Sequence, residues 1–468
     1  MKFDRLIAGG TLVIPDKGLL KADIGIRMGK IQAILWPGFN ADAGQIVNAE
    51  GLYVFPGVIE PHAHLGLGYG VDDFQTETQS AALGGVTTIL SFLRQPEDYL
   101  DVFHELKAEA EKRAVFDFGF HAVIMSEQHL ASTGRYYHEL GISSFKFYMT
   151  YRGADAQAMG VRGIDDGFMF DCFQTVAGLP YGRVIVHAEN VEVVNRFKQR
   201  LQGQGRNDLA AWAESRPDFA EAEAARRAMY FAELTGCPLH FLHLTSRRAL
   251  TEISDFKSRY AGISVEVCHP YLFFTTDDMK TPEMKVKPPF RSRGDIDALW
   301  DGIASGRVDS IGSDHVPRPG KTKLDGTWSP VTGVPGSGLL FPVMLSEGYH
   351  KRKIPLARIA AVTSTQTARL YNLYPRKGSL AIGSDADMVL VDLDREKTVR
   401  ASELGSCAGY SPYEGKILKG WPVMVFAGGE LIAENGNIMA DKGRGRYLAR
   451  SYKGDADGNK DPYQKQAR

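Results

Sequence analysis

An α/β fold built on a (β/α)8, TIM-type barrel, with a small β-sandwich domain made from both chain ends, is the architecture this sequence predicts. Three observations carry it. Between about Gly57 and Tyr371, short apolar runs alternate with amphipathic helical stretches, which is the grammar of parallel β/α units. Those runs number eight, the count that closes such a barrel: "GVIEPHAH", "GVTTILSF", "FDFGFHAVI", "ISSFKFYM", "GRVIVHAEN", "PLHFLHLTS", "ISVEVCHPYL" and "RVDSIGSDH". On either side of this region the pattern changes to short alternating strands separated by tight turns, as in antiparallel sheets.

The N-terminal region offers "DRLIAGGTLVI", then "ADIGIRMGKIQAI", with Ile24, Ile26 and Met28 alternating around a tight turn at Gly29-Lys30, then "GQIVNAEGLYVFPG". Within the middle, "QPEDYLDVFHELKAEAEKR" and "PDFAEAEAARRAMYFAELTG" read as helices, the second stopped by Gly236 as a C-cap. A doubly wound open sheet is the alternative, but its glycine-rich phosphate loop after the first strand is absent. Beyond Tyr371 strand grammar returns in "GSLAIGSDADMVLVDLD" and "GWPVMVFAGGELIAENG". The expected division is therefore an N-terminal share of the β-sandwich at 1–56, the barrel at 57–374, a C-terminal share of the sandwich at 375–440, and a polar C-terminal arm or partly disordered tail at 441–468.

Charge and cysteine content exclude several classes. With 55 basic against 56 acidic residues there is no electrostatic footprint for nucleic acid or an anionic membrane. Four scattered cysteines without a C-x-x-C pair form neither a disulfide framework nor a thiolate zinc site, so a reducing cytoplasm is expected. The N-terminal "MKFDRLIAGGTLVIPDKG" is neither a signal peptide nor a membrane span. A small neutral or modestly charged molecule is the expected partner.

Barrel chemistry sits at the C-terminal ends of the strands. His62 and His64 follow the first apolar run, and residues i and i+2 of a strand share a face. Strand four ends with Lys146, strand five with His187, strand six with His243 and strand eight with Asp314. Singly, each has a structural alternative: a hydrogen-bonded core histidine, a lysine snorkelling to water, an aspartate capping a turn. Jointly, four imidazoles, a carboxylate and an amine at one mouth point to a metal site.

These motifs, with "FPGVIEPHAHL", "GGVTTI", "GISSFKFYMTY", "VHAEN", "SRPDFAEAEA", "SDHVP" and "LYPRKGSLAIGSDADMVLVD", closely resemble the hydantoinase and dihydropyrimidinase branch of the cyclic amidohydrolases over nearly the whole chain. The resemblance implies two divalent ions, usually zinc, bridged by a lysine carboxylated by carbon dioxide and by a hydroxide. Lys146 would be that lysine, His62, His64 and Asp314 would hold one ion, and His187 and His243 the other. Asp314 would shuttle the proton, and Tyr151 would donate to the developing oxyanion. A carbamate suits this place because two dications need anionic oxygen between them. A homotetramer is also implied.

The sequence departs from the family pattern in several places. Glu60 stands where an aspartate is usual ahead of H-x-H. In "KVKPPFR" and "TGVPGSG", Lys287 and Pro335 stand where a serine and an asparagine bind the substrate ring through backbone groups; Lys287 keeps both backbone groups and Pro335 keeps its carbonyl. His269 in "EVCHPYL" is either a substrate contact or structural, the latter favoured.

The implied reaction is hydrolytic opening of a cyclic amide or ureide, hydantoin or dihydropyrimidine in type, to an N-carbamoyl amino acid. One alternative is an allantoinase or dihydroorotase-like activity, with Arg152, Arg162 or Lys287 near a substrate carboxylate. The other is a non-catalytic scaffold, against which the retention of all six ligands argues. Glycine-rich loops after strands one and four suggest a mobile mouth with an apolar wall of Leu65, Leu67, Tyr69, Met159 and Phe168, favouring rings with an apolar substituent.

Overall fold

All eight apolar runs form strands of one parallel sheet whose order follows the chain: Val58–Ala63, Val86–Leu93, Asp117–Val123, Ser144–Tyr148, Arg183–His187, Leu239–Phe241, Ile263–Cys268 and Ser310–Gly312. This computed structural model describes residues 2–451 apart from 16, 153–155, 157–162 and 324–325. The eighth strand returns to the first at the C-terminal rim. There the His64 N–H donates to the His315 carbonyl at 2.8 Å, and the His315 N–H to the His62 carbonyl at 3.2 Å. That return rules out the open sheet. The strands are buried almost throughout, because helices cover the outside and side-chain layers fill the inside.

The two helices read from the sequence form as expected. Tyr99–Glu111 starts at Asp98, whose carboxylate accepts the Leu100 N–H at 3.0 Å. Asp218–Thr235 ends at Gly236, whose φ of +70° suits a residue without Cβ. Among the described residues, no helix is long and apolar enough to cross a membrane, and the four cysteines are free thiols.

The chain ends meet in two further sheets. One has four strands in the order Lys30–Leu35, Asp23–Arg27, Phe3–Ala8, Ala43–Asn48. The other has seven, and in it Tyr53–Pro56 from the N-terminal region pairs antiparallel with Met388–Thr398 from the C-terminal one, Val54 opposite Leu390. Ile7, Ile24, Ile26 and Val54 share a buried cluster with Met388, Leu390 and Phe426, so neither end has a core without the other. Met28 departs from the expected alternation. It lies in the turn with Gly29, both at positive φ, and is 81% exposed.

The stretch after Asp441 is also better ordered than its polarity suggests, as far as Ser451. Tyr447 pairs with Phe118 at the start of the third barrel strand, and Leu448 and Arg450 are buried beneath the barrel. The Arg450 guanidinium donates to the Phe120 carbonyl and to Ser144 Oγ. Residues 452–468 of the expected arm lie outside the described residues. Barrel and sheets are joined by Lys377, whose buried ammonium lies 2.8 Å from Asp117, 3.1 Å from Asp385 and 2.8 Å from Asp387.

Candidate metal centre and substrate cleft

The barrel brings the predicted ligands together. Asp314 Oδ1 lies 3.0 Å from His62 Nε2 and 3.2 Å from His64 Nε2. The His62 ring centroid is 5.4 Å from that of His243, which is 4.5 Å from that of His187. Lys146 is 1% exposed, so it does not snorkel; its Nζ packs 3.9 Å above Phe92 and 4.6 Å above Tyr148. His243 and Asp314 both have positive φ, 36° and 51°, a strained backbone that clusters at functional sites.

The donor set fits a cation. One ligand atom each from His62, His243 and Asp314 lies within 4.8 Å of the others, and the buried His243 Nδ1 has no hydrogen-bond partner among the described residues. The protonation states of three of the four rings suit ligation as well. Burial lowers His64 to about 3 and His187 to about 4, and holds His243 well below its ordinary range, so these three rings are neutral at pH 7. Burial opposes charge on His62 too, but Glu266 and Asp314 outweigh it and raise the ring to about 9. Burial also resists ionisation of Asp314, and His62 outweighs that, keeping the carboxylate charged well below its usual range. Burial lowers Lys146 to about 8, so a share of its amine is neutral near physiological pH.

Several supporting residues are invisible to a strand-end reading. Glu266 accepts from His62 Nδ1 at 2.6 Å, and Glu189 from His187 Nε2 at 2.6 Å while Arg216 pairs with it at 3.2 Å; carboxylates of this kind fix a ligand's orientation. Glu60 Oε1 accepts the His62 and Ser313 N–H groups at 2.9 and 3.1 Å and so ties strand one to the end of strand eight. The available signal was a charged residue in an otherwise apolar strand, as in "SVEVC".

Beside these ligands opens a cleft of about 540 Å³. Tyr151, Lys287, Asp314 and His64 line it, and Lys287 Nζ sits 4.0 Å above the Tyr151 ring. Pro335 is buried and is not among the lining residues. His269 takes the structural option: its nitrogens contact Tyr413 Oη at 2.7 Å and the Gly336 carbonyl at 3.0 Å, away from the cleft. The apolar wall does not form as expected. Leu67 lines the cleft, but Tyr69 is 60% exposed, Phe168 packs in the main core, Leu65 lines a neighbouring hollow, and Met159 lies outside the described residues. The loop after strand one is also pinned, with the Gly66, Gly68 and Tyr69 N–H groups all donating to the Asp73 carboxylate. Arg94, one residue beyond strand two, and Arg318 line the cleft in the wall's stead.

Comparison with known proteins gives the family. Residues 214–432 match the model of the Amidohydrolase family. The chain is 33% identical to an L-hydantoinase of Paenarthrobacter aurescens, covering 96% of this chain and 98% of that protein. It is 32% identical to an allantoinase of Deinococcus radiodurans over 96% and 99% of the two chains. A solved dihydropyrimidinase from Brevibacillus agri superposes with a TM-score of 0.87 at 29% identity, covering 96% of this chain and 98% of that one. An L-hydantoinase structure from Arthrobacter aurescens does so with 0.88 at 31%, covering 95% and 99%. With near-complete coverage at this identity, a closed barrel and a converged set of histidines at its mouth, this chain belongs to the amidohydrolase family, in its hydantoinase and dihydropyrimidinase branch.

Proposed function

We propose that the protein opens a cyclic amide or ureide ring of hydantoin or dihydropyrimidine type, adding water across the ring C–N bond to yield an N-carbamoyl amino acid. The observation that carries this reading is the convergence of His62, His243 and Asp314 on one point beside a cleft, with His243 Nδ1 left without a hydrogen-bond partner among the described residues. In it, two divalent ions, zinc by resemblance, are held by His62, His64, Lys146, His187, His243 and Asp314, with Lys146 carboxylated by carbon dioxide. Bound there, such ions supply Lewis acidity and an activated water.

The chain's own residues do the rest. Asp314, ionised at neutral pH, takes a proton from the attacking water and delivers it to the leaving ring nitrogen. Tyr151, kept protonated chiefly by burial, donates its hydroxyl to the carbonyl oxygen as charge develops. Backbone groups of Lys287, which lines the cleft, hold the substrate. A cytoplasmic location and homo-oligomeric assembly belong to the same reading. The first is supported by four free thiols, the second by large apolar side chains exposed in the N-terminal region, such as Trp36 at 80% and Ile46 at 63%.

The test is direct. Protein loaded with zinc, manganese or cobalt is incubated with hydantoin, dihydrouracil, allantoin and dihydroorotate, and ring loss is followed with product identification. Turnover of the first two to N-carbamoyl acids supports the reading, and turnover of none refutes it.

A further inference from the structure

The cleft is lined by more positive charge than the ring-opening chemistry uses. Besides Lys146, its lining holds Arg94, Lys287 and Arg318, and among the described residues that line it Asp314 is the one carboxylate. Asp314 and Lys146 belong to the proposed metal centre. The three other cations do not.

Their positions give this weight. Arg94 directly follows the second barrel strand, the place from which barrel enzymes present side chains to substrate. It lines the same cleft as Lys146, Tyr148 and Tyr151. Arg318, four residues beyond Asp314, is half-buried and has no ion pair among the described residues. Burial first, and then Arg94, disfavours its charge. A cleft whose lining carries this excess of positive groups attracts anions.

The cation anticipated after strand four is elsewhere. Arg152 pairs with Glu192 at 2.9 Å and also donates to the Ile164 carbonyl, in a separate hollow. Arg162 lies outside the described residues.

Resting on the ring-opening reading, we infer that the preferred ring carries a carboxylate substituent, held between Arg94 and Arg318 with Lys287 adding a third positive charge. Guanidinium groups match a carboxylate through paired, charge-assisted N–H donors. Specificity is then electrostatic, and the apolar substituent suggested by the loop sequence is disfavoured.

Two probes of equal size separate these outcomes: hydantoin-5-acetate and its neutral isostere hydantoin-5-acetamide, assayed with the metal-loaded full chain. The ratio of kcat/KM, acetate over acetamide, is expected to be roughly a hundredfold. It should fall as salt is added. Arg94→Gln and Arg318→Gln should each cut that ratio at least tenfold, mainly through KM, and Arg318→Lys should restore part of it. A ratio of one or less in the parent, or a ratio unmoved by both Gln variants, overturns the inference while the ring-opening reading stands. If neither ring is opened, the ring-opening reading fails and calorimetric Kd values on the same protein decide. Tighter binding of the acetate that is lost in Arg318→Gln then upholds the anion site, and equal Kd values overturn it.

Discussion

Asp314→Asn isolates the proton-transfer role from the structural one. The change is isosteric, and the amide oxygen can keep the position now 3.0 Å from His62 Nε2 and 3.2 Å from His64 Nε2. His62 and His64 each have a second support besides Asp314. His62 is held through its other nitrogen by Glu266 at 2.6 Å, and His64 stacks on Phe92 with centroids 4.9 Å apart. Cation content should therefore stay close to that of the parent. What disappears is a carboxylate held ionised well below the usual carboxylate range, and an amide cannot replace it as a base. General-base catalysis contributes about 10²–10⁴-fold. That range corresponds to a barrier increase of about 2.7–5.5 kcal/mol. The assay is steady-state turnover of hydantoin, with metal per chain measured on the same samples by elemental analysis. Turnover within tenfold of the parent at equal metal content would refute the base assignment.

Three further expectations follow from the same structure. Elemental analysis of the loaded protein should find about two divalent ions per chain, since the six proposed ligands exceed the four that one tetrahedral ion takes; one tightly held ion or none counts against the paired centre. Lys146→Ala should be inactive and regain part of its activity with added acetate or propionate, because anionic oxygen is needed there and an ammonium is not. Full activity of the alanine variant without added acid would sink the carbamate. Lys377→Met should cost about 3–5 kcal/mol, the usual result of removing one partner of a buried ion pair. Among the described residues, Asp387, 2% exposed, would be left with the Gly428 N–H at 2.7 Å, whereas Asp385 keeps Lys30 and Arg376. Denaturant unfolding that shifts by less than 1 kcal/mol would contradict this account of how barrel and sheets are joined.

By itself the sequence determined the barrel, the pairing of the two chain ends and which polar strand ends converge at the barrel mouth, because each depends on short-range pattern. Eight apolar runs mark strands, and barrel strands present function where they end, so His62, His64, Lys146, His187, His243 and Asp314 stand out by local position. The tertiary structure alone decided what surrounds them. Glu266 reaches His62 from 204 residues away, and Arg94 and Arg318 meet in one cleft because the eighth strand closes on the first. The expected apolar wall failed for the same reason. A loop residue's side-chain direction is set by what its backbone hydrogen-bonds to, here Asp73 gathering three N–H groups of the first loop, and no periodicity in the loop encodes that. The polar C-terminal stretch misled similarly: its Arg450 is buried because carbonyl and hydroxyl acceptors beneath the barrel receive it, and those acceptors exist only once the strands are assembled.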